Sequence, residues 1–272
     1  MTIYADMSVS GSGDPVLLIH GSMNSKSQWQ ALTSELETRF TVIAVDLFGY
    51  GKTPFPPNPE THSLADEVEL VRRTIHQRWG TIPALHIVAH SYGGMVALGY
   101  ACHYPDEVAS LTLFEPMANR LLLDDDLKEV YAEGRRLVDT ITQRVGDGRA
   151  DEGAKQFVDY FAGDGIYSML PEGACQKLSG YVRKMLIDYR TTIETPLDLD
   201  AYKGLDCPMA LISGTSSAPI SRSISLKLKS ALGGIDWFEV DGNHMAPIAN
   251  PDPVNAIIAT RLANLTAGRQ CA

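Results

Sequence analysis

Leu85-His-Ile-Val-Ala-His-Ser91-Tyr-Gly-Gly-Met-Val-Ala-Leu-Gly-Tyr100 decides how this chain is read. Leu85 to Ala89 is short and almost wholly apolar, as expected of a strand buried on both faces of a parallel sheet. Met95 to His103 has the character of a helix. Between them, Ser91 is flanked two residues either side by the small residues Ala89 and Gly93, the pattern of a nucleophile elbow. So tight a turn forces Ser91 into strained backbone geometry, and a side chain larger than a methyl at 89 or 93 should collide with its neighbours. The turn lifts the Ser91 hydroxyl above the sheet edge and aims a helix N-terminus at any negative charge that develops there. The plainer reading is a small-residue turn that happens to hold a serine; the strand before it and the helix after it weigh against that.

At 272 residues the chain fits one large α/β domain or a domain with an insertion, and its 44% hydrophobic content is enough for a sizeable core. A formal charge of −10 argues against a nucleic-acid partner and does not help on an anionic membrane. No signal-peptide pattern and no apolar run of membrane-spanning length is expected. The four cysteines, Cys102, Cys175, Cys207 and Cys271, form no CxxC pair. They read as reduced, mostly buried thiols of a cytoplasmic protein, although a secreted chain with its leader removed stays open.

In order along the chain, Ile3 to Val9 reads as an edge strand and Val16 to Ile19 as a buried one ending in His20-Gly21-Ser22-Met23. Beside an elbow, the backbone amides of such a loop can bind an oxyanion. The expected donors are the amides of Ser22 and Tyr92, with Met23 as the alternative to Ser22, while the His20 side chain packs to hold the loop. Phe40 to Val45 is the next strand. Asp46-Leu-Phe-Gly-Tyr-Gly-Lys-Thr53 after it lacks the spacing of a phosphate loop, so nucleotide binding is not expected. Asp46 should bond amides of its own turn. Ser63-Leu-Ala-Asp66 reads as a helix start with a capping-box acid. Val108 to Phe114 is another strand, ending in Glu115-Pro116. From Met117 to about Tyr202, strand signals give way to amphipathic helical runs, including Leu178, Tyr181, Val182, Met185 and Tyr189 on one stripe. Alternation resumes with strands at Met209 to Ser213 and Ile235 to Val240, and a helix from Pro253 closes the chain.

The expected fold is therefore α/β: a mostly parallel, doubly wound sheet of about eight strands, with residues 1–116 and 203–272 as core and 117–202 as a helical cap. Leu18-Ile-His-Gly21, Asp46-Leu-Phe-Gly-Tyr-Gly51, Ala-His-Ser91-Tyr-Gly-Gly and Gly-Asn-His244, in that order, resemble the α/β-hydrolase superfamily over nearly the whole length. The resemblance implies a Ser-His-acid hydrolase with a cap and without metal or organic cofactor. It makes Ser91 the nucleophile and His244, in the loop after the last strand, the base. One position departs from the family pattern: the acid is most often an Asp in a GxxD-like turn, and here Gly214-Thr-Ser-Ser217 ends in serine. Losing that charge with geometry kept costs a factor on the order of ten thousand in a known triad. Glu115, where some branches of the superfamily carry their acid, is the best substitute. It has one methylene more than Asp, and Pro116 fixes its direction. Asp241 and Asp206 are weaker candidates, and Glu115 could instead bind cap-loop amides.

Three functions follow. The first is hydrolysis of small to medium, fairly apolar carboxylic esters or lactones through an acyl-enzyme on Ser91 (a carboxylesterase-like activity). The second is hydrolysis of a carbon–carbon bond in a diketone-type ring-cleavage product, for which Arg183, Arg190 or Arg222 is available to meet a dianion. The third is a non-catalytic ligand receptor on the same fold. A small-molecule ester-type partner is expected; monomer and homodimer both stay open.

Overall fold

The computed structural model describes residues 2–81 and 83–267; Cys271 lies outside the described residues. Its seven-stranded sheet comprises β1 (Met7–Ser10), β2 (Asp14–Ile19), β3 (Phe40–Val45), β4 (Leu85–His90), β5 (Val108–Phe114), β6 (Met209–Gly214) and β7 (Asp236–Val240). The order is β1-β3-β2-β4-β5-β6-β7; only β1 runs antiparallel to its neighbour, β3. Each of the seven comes from a segment read as a strand in the sequence, against about eight expected. The edge strand starts later than Ile3, because the Ala5 amide donates to the Thr74 hydroxyl (2.8 Å) and the Asp6 amide to that of Thr53 (2.9 Å) rather than to a strand.

Helices cover both faces of the sheet. They are α1 (Gln30–Leu36), α2 (Leu64–Trp79), α3 (Tyr92–His103), α9 (Pro219–Ala231), α10 (Ala246–Ala249) and α11 (Pro251–Ala267). The central strand β4 is buried at all six positions, which accounts for its unbroken apolar run. α3 is buried nearly all round, so its sequence shows little amphipathicity. α2 begins with the expected capping box: the Ser63 side chain accepts from the Asp66 amide, and the Asp66 carboxylate accepts from the Ser63 amide.

Between β5 and β6 the chain is helical: α4 (Lys128–Gly146), α5 (Ala150–Ala162), α6 (Ile166–Met169), α7 (Glu172–Glu194) and α8 (Leu199–Lys203), with short 3₁₀ turns before α4. Their apolar stripes pack on one another through Ile141, Ala154, Val158 and Val182, and Met23 from the loop after β2 joins that cluster. The helical segment thus has a small core of its own, seated over the ends of the central strands. Cys102, Cys175 and Cys207 are half-buried free thiols, more exposed than expected. Among the described residues no helix is long and apolar enough to cross a membrane.

Candidate active site

The site starts from backbone strain. Among the described residues three non-glycine positions have positive φ: Met23 (60°), in the loop after β2, Ser91 (56°), which lines a cleft, and Glu115 (43°), at the end of β5. Side chains avoid this region at a cost of about 1–3 kcal/mol each, so it persists only where surroundings enforce it. At Ser91 the enforcement is visible. Its amide donates to the Phe114 carbonyl (3.0 Å), and its own carbonyl accepts from the amides of Gly94 (2.9 Å) and Met117 (3.1 Å). At Gly93 even a methyl would be too much, since a Cβ there would lie 2.4 Å from the His20 carbonyl oxygen. The elbow is tighter than its sequence indicated.

Ser91, His244 and Glu115 come together. The Ser91 hydroxyl lies 2.9 Å from His244 Nε2, and His244 Nδ1 lies 2.7 Å from Glu115 Oε2. The other carboxylate oxygen of Glu115 accepts from the Ser213 hydroxyl (2.7 Å) and the Gly214 amide (2.9 Å). Burial opposes charge on Glu115, but the hydrogen bond and charge of His244, with the Ser217 and Ser213 hydroxyls, hold its pKa below the usual value. Ser217 is thus a neighbour of the carboxylate, although its hydroxyl makes no hydrogen bond of regular geometry. The side chain of Glu115 reaches from the end of β5 to the place beside β6 where the family's Asp would stand. Asp241 and Asp206 are exposed and take no part.

Around the imidazole, the sequence reading missed several partners. The His90 ring lies 4.8 Å from that of His244, and so does Phe161 from α5. His90 Nε2 donates to the His244 carbonyl (2.9 Å), which leaves Nδ1 to accept from the Gln28 amide (3.1 Å). Burial, with the charge of His244, keeps the His90 pKa well below its ordinary value, so the ring is neutral. Gln28 also accepts from the Gly21 amide (3.3 Å), linking the loop after β2 to the elbow. His20 holds that loop as expected: Nδ1 donates to the Gly21 carbonyl (2.7 Å), and Nε2 accepts from the Leu47 amide (3.1 Å). Burial pushes its pKa down to about 4.

The amides of Ser22 and Tyr92 have no hydrogen-bond partner among the described residues, whereas the Met23 amide acts on the Tyr50 hydroxyl. Tyr92 also opens α3, so its amide lies at the positive end of a helix. Asp46 accepts from the Lys52 amide of its own turn (3.0 Å) and from the Lys26 amide of the neighbouring loop (2.7 Å).

A second buried network, also missed from sequence, lies under the Ser22 loop. Lys184 on α7 pairs with Glu67 on α2 (2.8 Å) and with Asp188, one turn further along α7. Asp188 accepts from the hydroxyls of Ser22 (2.5 Å) and Tyr50 (2.5 Å). One ammonium serves two carboxylates. Burial and the Glu67 charge push the Asp188 pKa up despite Lys184, while Lys184 holds Glu67 low. Lys184 and Asp188, four apart inside an apolar stripe, were the signal available: charges on a core-facing stripe have to be paired.

The cleft is narrow, with a cavity volume of about 50 Å³. Ser91, Ser22 and Asp188 are on its wall with Leu137, Val138, Phe157, Phe161, Met185 and Ile220. Arg183, Arg190 and Arg222 are not. Arg190 donates to the Pro59, Glu60 and His62 carbonyls, and Arg222 pairs with Glu239 (2.7 Å). Among the described residues, no three His, Cys, Asp or Glu side chains are grouped to hold a metal ion.

A family model described as alpha/beta hydrolase fold matches residues 14–145. Over 108 residues the chain is 33% identical to a probable lysophospholipase, BODYGUARD 2, of Arabidopsis thaliana, covering 38% of this chain and 22% of that protein. It spans no more than 30% of the length of such curated relatives. Among solved structures, a thermophilic esterase from Thermogutta terrifontis superposes with a TM-score of 0.76 at 23% identity, covering 96% of this chain and 93% of the other. A meta-cleavage product hydrolase from Pseudomonas fluorescens IP01 gives 0.70 at 19% identity, covering 96% and 94%. These likenesses are to the fold. The sheet order, the elbow and the family model matched over residues 14–145 together give the chain the α/β-hydrolase fold.

Proposed function

We propose that the protein is a serine hydrolase that cleaves carboxylic esters or lactones of small to medium, fairly apolar substrates through an acyl-enzyme on Ser91. The observation that carries this reading is the single imidazole of His244 set between the Ser91 hydroxyl (2.9 Å) and a Glu115 carboxylate oxygen (2.7 Å). In the mechanism, His244 Nε2 takes the Ser91 proton as the oxygen attacks the carbonyl carbon. Glu115 stays ionised, keeps the other proton on Nδ1 and stabilises the imidazolium. The amides of Ser22 and Tyr92 receive the oxyanion. The imidazolium then protonates the leaving alcohol, and a water deprotonated by His244 releases the acid and restores Ser91. Residues 117–202 act as a cap that supplies the apolar wall.

The support for ester over carbon–carbon cleavage is electrostatic. A dianionic ring-cleavage product needs a cation at the site, yet none of the three arginines lines the cleft and the buried carboxylate of Asp188 does. A carboxylate so near the nucleophile disfavours anionic substrates. The test is release of p-nitrophenol from short-chain esters by the purified protein and by Ser91→Ala. The proposal expects turnover that disappears in the variant; unchanged turnover would remove Ser91 from the mechanism.

A further inference from the structure

Two polar atoms on the wall of this same cleft have nothing to bond to among the described residues. They are Oδ1 of Asn119 and the hydroxyl of Tyr189, both sealed from solvent. Asn119 as a whole is 2% exposed. Which end of its amide is open follows from its neighbour. The single hydroxyl hydrogen of Thr192 is committed to the Tyr189 carbonyl (2.7 Å), so Thr192 Oγ1 can only accept, and it accepts from Asn119 Nδ2 (2.7 Å). The free atom is therefore the acceptor, Oδ1. Tyr189 and Thr192 share the face of α7 that also presents Met185 and Asp188 to the cleft. Burial raises the Tyr189 pKa to about 12, so its hydroxyl keeps its proton and can donate. Gly134 lies opposite, where a Cβ would stand 2.9 Å from Ile220 Cδ1 and 4.0 Å from that hydroxyl, so a side chain there would crowd this part of the wall.

An unpaired donor or acceptor held out of water costs about 1–3 kcal/mol, and native proteins carry few of them. Two on one cleft wall, where the other polar side chains Ser22, Ser91, Asp188 and Thr192 all have partners, mark a place where a ligand completes the bonding. We propose that Asn119 and Tyr189 are specificity residues that recognise a hydroxyl group on the substrate. The substrate is thus an uncharged, mainly apolar ester or lactone carrying a hydroxyl away from the scissile bond. A hydroxyl suits both partners, since it donates to Asn119 Oδ1 and accepts from Tyr189. A carboxylate does not, because it has no proton for Asn119 and meets Asp188 on the same wall. This deepens the ester-hydrolase reading and rests on it.

The experiment compares kcat/KM within matched pairs: p-nitrophenyl 3-hydroxyhexanoate and 6-hydroxyhexanoate each against p-nitrophenyl hexanoate, and 2-hydroxyethyl hexanoate against propyl hexanoate. Wild-type protein should favour the hydroxylated member of at least one pair by about tenfold or more, since the deoxy analogue leaves the site's polar atoms unpaired. Tyr189→Phe removes a hydroxyl that bonds nothing among the described residues, so its Tm should stay unchanged while the preference falls toward unity. Asn119→Leu should lower the preference too. Ratios within twofold for every pair, or a preference that survives both substitutions, would overturn the proposal while leaving an active hydrolase. No turnover of any ester would overturn both readings.

Discussion

Two buried networks of charge meet beneath the cleft, and they are built from different material. Ser91, His244 and Glu115 stand at the ends of strands and in a loop, and two of the three have left-handed backbone. Glu67 projects from the first turn of α2 and Lys184 and Asp188 from the interior of α7, none of them with left-handed backbone. Both are buried, and both hold carboxylates with displaced pKa values. Burial and a shifted pKa therefore do not by themselves distinguish a reacting group from a structural one. Strain does, together with an acid–base chain that ends on a hydroxyl facing a cleft. The second network ties α7 to α2 and to the Ser22 loop, so it sets where the wall of the cleft sits.

The contrast can be broken by mutation. In the strained network, substitutions should remove activity and spare the fold; in the helical one they should do the reverse. The largest effect is expected at Ser91→Ala, which should lower ester turnover by several orders of magnitude with thermal unfolding little changed. Next is Glu115→Gln, expected to cost on the order of a thousand- to ten-thousandfold in kcat, while Ser217→Ala changes it by less than about tenfold. Kinetics giving the opposite ranking would return the acid to another residue.

Lys184→Met should leave kcat comparatively intact and lower stability to urea by about 3–5 kcal/mol, because two buried carboxylates lose their counter-charge. Adding Glu67→Gln and Asp188→Asn to that variant should recover much of the loss. If the triple variant unfolds as readily as the single one, the network is not electrostatic in origin.

A smaller effect should appear in the pH dependence of stability. Glu115 has a folded pKa below its ordinary value of 4.5, so its ionised form contributes stability that is present above that value and lost as pH falls beneath it. The stability difference between wild type and Glu115→Gln, followed by urea unfolding, should shrink as pH is taken below 4.5. The smallest effect belongs to neither network: Ser63→Ala removes the α2 cap and should cost about 1 kcal/mol.

How much of this was legible in the sequence follows the same division. The elbow, the His-Gly loop and the closing Gly-Asn-His244 announce themselves because tight turns at strand ends admit few residue types, and the five inner strands follow from apolar runs. Glu115 is what the resemblance implies, since Ser217 leaves a carboxylate to be supplied and some branches of the superfamily carry their acid at that strand end. Lys184 and Asp188 went unnoticed because an amphipathic stripe hides single charges whose partner, Glu67, is distant in sequence. Gln28, His90 and Phe161, which orient His244, carry no local pattern, for their roles exist only once the helices have packed. Asn119 falls at the start of the helical segment, and its open acceptor becomes visible only through the hydroxyl geometry of Thr192.

The most direct test of the account is labelling with a fluorophosphonate, which captures a serine whose hydroxyl is activated by a neighbouring base. The account predicts one adduct per chain, located on the peptide containing Ser91 by mass spectrometry and abolished in both Ser91→Ala and His244→Ala. An unlabelled protein, an adduct on another serine, or undiminished labelling in His244→Ala would contradict it.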